Sequence, residues 1–223
     1  PRILCSDDGP IAIVTLFNPD KLNAINGDMW RQLKRVVDAL SARTDLRCII
    51  IRGEGEAFAA GGDIEEFHTA RATVDLALGY HEAVGEALTA IEQCPLPTIA
   101  AIQGPCVGGG LEIACACDLR IAGTSAKFGA PILKLGFSMY PGEMNGLLQL
   151  AGPAVVKEIL LEGRLFGAPE AYAKGLLSRV VADAAVIEEA TATARRIAAG
   201  APLVARWHKQ WIARLLTGEP LSE

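Results

Sequence analysis

The chain has 223 residues, 51% of them hydrophobic, enough to bury a large core as one main domain. A net charge of −5 argues against a general nucleic-acid footprint, and no apolar run approaches the roughly 20 residues a membrane span needs. Six cysteines without zinc or secreted-framework spacing, three scattered histidines (His68, His81, His208) and no signal peptide at the start fit a reducing cytoplasmic or matrix-like compartment, with no metal.

Ile11–Phe17 is a strand-like apolar run ended by Asn18-Pro19-Asp20. A helix follows from about Asp28, with Met29, Leu33, Val36, Val37 and Leu40 at helical spacing. Cys48–Arg52 is a short, fully apolar strand stopped by Gly53-Glu54-Gly55, and residues 73–93 read as a long helix broken by Pro95 and Pro97. Thr98–Ile102 is a buried strand, and residues 119–122 form another. From residue 142 onward the pattern reads as almost purely helical. Gly152-Pro153, Gly163 and Gly167-Ala168-Pro169 separate helices there, and helices at 184–200 and 203–216 follow. The predicted class is α/β with a helical C-terminal portion.

Two glycine turns carry the chemistry. In Cys106-Val-Gly-Gly-Gly-Leu-Glu112, three consecutive glycines enter an apolar helix-compatible run bearing one carboxylate, Glu112. A glycine-rich entry lets backbone approach a ligand closely, and a helix start points unpaired N–H groups at it. Phe58-Ala-Ala-Gly-Gly-Asp-Ile64 is a second such turn, with Asp63 at the N-cap position. Each turn can offer one N–H to the same oxygen, the geometry of an oxyanion hole, with an acid/base one helical turn away. The triple glycine does not complete Gly-x-Gly-x-x-Gly, and no Ser–His pair accompanies these turns.

Ala60-Gly-Gly-Asp63, Gln103–Glu112 and Cys117-Asp-Leu-Arg120 together resemble the enoyl-CoA hydratase/isomerase (crotonase) family, as do Asn18–Asn26 and Leu160–Arg164. The resemblance implies a spiral of repeated β-β-α units over residues 1–141, carrying a CoA and oxyanion site. It assigns 142–223 to a helical region used in trimers or hexamers, and Glu223 falls short of the family's last helices. It implies an acyl-CoA thioester as substrate, coenzyme A entering as part of that substrate with no further cofactor, and no nucleic-acid or membrane partner. Carried over by motif, the oxyanion donors are Gly62 and Gly109 and the acid/base is Glu112. Asn23, Ala24, Ala60, Asp63, Ile64, Gly108 and Ile132 fall at substrate-binding positions.

Hydratases of the family carry a second glutamate just after the proline of the segment matching Phe128–Gly136. Here that position is Ile132, which cannot move a proton. Tyr140 falls where some isomerases of the family carry an aspartate, and it is the candidate for proton delivery, against packing or a subunit contact. Glu143 is read as an active-site group or a solvated surface carboxylate. Trp207, His208, Lys209 and Trp211 read as core or subunit packing, the alternative being a lysine or arginine of this segment (Arg206, Lys209, Arg214) near the CoA phosphates. The function expected is thioester-enolate stabilisation with one glutamate as acid/base. Isomerisation, decarboxylation, hydration or dehydration with one carboxylate, and a non-catalytic acyl-CoA-binding role are the alternatives.

Overall fold

The computed structural model describes residues 1–218. It opens with a hairpin of β1 (Arg2–Asp8) and β2 (Ile11–Phe17), paired from Arg2↔Phe17 to Asp8↔Ile11 across a turn at Gly9, whose φ is +61°. Three parallel strands extend the sheet: β3 (Cys48–Gly53), β4 (Thr98–Ile102) and, beyond the short β5 (Pro105–Val107), β6 (Leu119–Gly123). Between them run α1 (Gly27–Ser41), α2 (Ile64–Ala70), α3 (Val74–Gln93) and α4 (Gly109–Ala116). A three-stranded sheet joins β5 to β7 (Lys127–Gly129) and β8 (Phe166–Gly167). The chain then continues through α5 (Pro141–Glu162), α6 (Ala168–Ala173), β9 (Arg179–Val181), α7 (Val186–Ala198) and α8 (Pro202–Thr217).

The region after residue 142 is therefore not purely helical. Strand β9 closes the main sheet in the order β1-β2-β3-β4-β6-β9, and β8 completes the second sheet. Two or three residues are too few for any periodicity to register. Gly152 (φ +72°) and Pro153 mark a kink within α5, where the continuous helical ladder cannot pass.

The β3 and β4 strands read as unbroken apolar runs because both sheet faces are covered. Ile49 and Ile51 face a large core with Met29, Trp30, Leu33, Phe58 and Ile91. Cys48 and Ile50 face the opposite side, where α7 lays Val186, Ala190 and Ala194 over Ile99 and Ile121. Successive turns of the spiral are stitched by isolated parallel bridges, Ile25 to Gly62 and Ala59 to Cys106. These bridges bring the two glycine turns side by side.

No helix among the described residues is long and apolar enough to cross a membrane. Trp207 and Trp211, stacked with ring centroids 6.2 Å apart on α8, are each about half exposed, which removes core packing as their explanation. Lys209 pairs with Asp118 at 2.6 Å and donates to the Leu96 carbonyl.

Candidate active site

The first turn, residues 58–63, is held from outside the cleft. Asn23 is fully buried with φ +57°, a left-handed conformation that Asn tolerates. Its amide donates to the carbonyls of Glu54 (2.8 Å) and Ala57 (2.7 Å), and its oxygen accepts from the Asn18 N–H. Asp63 caps α2 through the Glu65 N–H and pairs with Lys21 at 2.9 Å. The Ile25 N–H donates to the Gly61 carbonyl and the Asp63 N–H to the Ile25 carbonyl. Both bonds fix the turn around Gly62, whose own N–H has no backbone acceptor among the described residues.

The second turn needs its three glycines for different reasons. Gly108 adopts φ +50°, ψ −118°, which L side chains rarely adopt. A Cβ on Gly109 would lie 2.8 Å from Trp30 Cζ2, and one on Gly110 would lie 2.4 Å from the Ala59 carbonyl oxygen. The turns thus touch, and Gly109, first residue of α4, has no carbonyl behind it in the helix to bond. Gly62 and Gly109 line one cleft of about 660 Å³, mouth included, together with Ala60, Ile64, Gly108, Glu112 and Ile132.

Glu112 sits within the first turn of α4 and is buried, and its carboxyl accepts no hydrogen bond among the described residues. Burial pushes its pKa well above the ordinary carboxyl range, and the charge of Glu143 adds to that, while Arg71 opposes it. An acid held toward neutrality in the same cleft as two backbone N–H groups is equipped to carry a proton to or from a bound molecule.

Four of the sequence-selected residues lie off the cleft wall. Asn23 and Asp63 support the first turn from behind, the Ala24 carbonyl accepts from the Asn18 amide, and Tyr140 is 41% exposed at the start of α5 with its ring stacked on His81, centroids 4.1 Å apart. Glu143, by contrast, is buried and lines the cleft, which overturns the solvated reading. One oxygen lies 2.5 Å from His81 Nδ1 and the other accepts the Tyr140 N–H at 2.9 Å.

The cleft also holds residues not singled out from the sequence. Arg71 ends α2 with its guanidinium 4.4 Å from the Phe67 ring centroid and 4.0 Å from that of Phe137. Tyr80 accepts from Trp30 Nε1 at 3.3 Å, and desolvation lifts its phenol to about 12. The apolar positions of α3 place Tyr80 and Val84 inward, but nothing in the sequence distinguishes Arg71 or His81 from surface residues.

The sequence profile of the enoyl-CoA hydratase/isomerase family matches residues 7–222. The chain belongs to this family. A Mycobacterium tuberculosis protein named "Probable enoyl-CoA hydratase echA8" is 36% identical over 212 residues, covering 95% of this chain and 81% of its own. The short-chain-enoyl-CoA hydratase of Clostridium acetobutylicum is 31% identical over 214 residues, covering 96% and 81%. The crystal structure of an enoyl-CoA hydratase/carnithine racemase from Magnetospirillum magneticum superposes with a TM-score of 0.96 at 51% identity, covering 99% of this chain and 83% of that one. The fold is therefore the α/β spiral of this enoyl-CoA hydratase/isomerase family, as the motifs implied.

Proposed function

We propose that this chain binds an enoyl-CoA thioester with its carbonyl oxygen between the N–H groups of Gly62 and Gly109, and migrates its double bond using Glu112 as the single proton carrier. The carboxylate form of Glu112 takes a C2 proton from a 3-enoyl thioester. The electron pair passes to the carbonyl oxygen, where two fixed donors stabilise the dienolate without reorganising. The protonated Glu112 then delivers that proton to C4, leaving the conjugated 2-enoyl thioester, so atoms and charge balance with no cofactor beyond the CoA of the substrate. The observation that carries this reading is the buried Glu112 carboxyl, free of hydrogen bonds and sharing a wall with both glycines. Hydration needs a second group to hold and activate water, and Ile132 offers none.

Glu143 supports a second reading. It shares the cleft and its charge is felt by Glu112, so the pair could flank a water in hydration. The conjugated enoyl-thioester absorbance separates the two. With 3-hexenoyl-CoA it is expected to rise, with crotonyl-CoA to stay level, and Glu112→Gln should slow the rise roughly 10²- to 10⁴-fold. A crotonyl-CoA signal that falls, and that Glu143→Gln abolishes, would replace isomerisation with hydration. Silence on both substrates while CoA esters still bind would favour a non-catalytic binding role.

The exposed apolar residues of α8, among them Leu203, Trp207, Trp211, Ile212 and Leu215, support a subunit contact in a trimer or hexamer. A monomer mass by light scattering would remove that assignment.

A further inference from the structure

Arg71 is a permanent cation inside the cleft without a counter-ion. No carboxylate lies within ion-pairing distance of its guanidinium among the described residues, and its Nε is buried with no hydrogen-bond partner. Glu112 feels the Arg71 charge but lies beyond ion-pairing distance, and the other nearby acids are engaged elsewhere. Asp63 and Glu65 pair with Lys21, Glu66 accepts the Gly27 N–H, and Glu143 is taken by His81 and the Tyr140 N–H. Phe67 and Phe137 lie 4.4 and 4.0 Å from the guanidinium, with the Tyr80 ring 5.2 Å away, so its approach is confined by three rings. A guanidinium cannot shed its proton, and a rigidly held one presents a planar fork matched to a carboxylate. Arg71 and Glu112 line the same cleft.

Resting on the acyl-CoA reading above, we infer that the substrate's acyl chain itself ends in a carboxylate, which Arg71 clamps. The preferred class is an ω-carboxyacyl-CoA. The acyl chain extends past Glu112 toward the Phe67–Phe137 walls, and its terminal carboxylate supplies the missing acceptor.

Calorimetric titration tests this without requiring turnover. Glutaryl-CoA and adipyl-CoA are compared with pentanoyl-CoA and hexanoyl-CoA, and free CoA is titrated alongside. The wild type should bind the carboxylate-ended esters roughly ten- to a hundredfold more tightly than their plain counterparts. Arg71→Met should bring that ratio to about one. Arg71→Lys should keep part of it, since an ammonium supplies charge without the fork. A wild-type ratio near one at both lengths, with the plain esters still bound, overturns the inference and leaves the acyl-CoA reading standing. No binding of any ester defeats both. A loss for Arg71→Met that is equal for free CoA and every ester would reassign Arg71 to the CoA phosphates, which also overturns the inference.

Discussion

Gly110→Ala probes the contact between the two glycine turns most directly. The new Cβ would lie 2.4 Å from the Ala59 carbonyl oxygen and 3.0 Å from the Ala59 Cβ, where ordinary contact begins at 3.4 Å. The turns must therefore part by about 1 Å. Ala59 cannot simply yield, because its carbonyl accepts the Val107 N–H and its N–H donates to Pro105, both at 3.0 Å. Overpacking of this kind costs about 1–3 kcal/mol, and the better helix propensity of alanine returns up to about 1 kcal/mol. Taken from the middle of that cost, about 2 kcal/mol, the net loss is about 1–2 kcal/mol, a fall in Tm of about 2–8 °C for a chain of this size. Gly109, one residue earlier, is the proposed oxyanion donor, and a 1 Å displacement of a reacting geometry lowers turnover about a hundredfold. Thermal melts and kcat/KM on the enoyl thioester that turns over are the assays. Gly79→Ala on α3, where nothing lies within 4 Å of the new Cβ, is the matched control and should stabilise slightly. Wild-type kcat/KM and an unlowered Tm for Gly110→Ala would refute the argument that these turns are in contact.

Glu112→Gln should alter how stability depends on pH. The native pKa of Glu112 is raised above the ordinary 4.5, so its folded form holds a proton that the unfolded chain releases. The wild type is therefore fully stable in this respect below about pH 4.5 and loses stability as pH rises through the raised native value. Relative to Gln, the wild-type Tm should drop progressively over that window. A Tm difference that is constant with pH would exclude a displaced titration at this residue. His81→Ala strips the Glu143 carboxylate of its 2.5 Å partner while leaving it buried, and should lower stability by roughly 2 kcal/mol, or about 4–8 °C. An unchanged melt would show that the pair contributes nothing. Asn23→Ala removes three hydrogen bonds that hold the first turn, and should cost about 2–4 kcal/mol, read by chemical denaturation. A loss under 1 kcal/mol would mean the turn holds itself.

Much of the spiral was legible because its elements are locally encoded. Strands β2, β3, β4 and β6 are mostly apolar runs, with Arg52 and Arg120 the charged exceptions, each bounded on at least one side by Gly, Pro or Asn, and α1, α3 and α8 carry their own periodicity. Strand β1 was not singled out because it is a sheet edge. Of its seven residues only Ile3 is buried, and it ends in Asp7-Asp8, so it shows no alternation. Strands β8 and β9 exist only through partners far away in sequence, Lys127–Phe128 and Ile121–Gly123 respectively.

The same division runs through the site. The two glycine turns are made of backbone, and the demand for glycine at 108 to 110 arises within a few residues, so spacing alone exposes it. Glu112 follows from that turn because a helix must place the residue one turn onward. Arg71, His81 and Glu143 carry no such local mark. Each is a polar side chain on a different helix, and the His81–Glu143 contact joins residues 62 apart. Their meaning comes from which helices converge on the cleft, and Ile132 takes on its full meaning only there. Where the motif expected a carboxylate the wall is apolar, while charge enters the same cleft from the end of α2 and the start of α5. Family motifs therefore locate the two glycine turns proposed to hold the thioester carbonyl. The side chains that select what is attached to it come from elements whose sequences are readable one at a time but whose approach to each other is not.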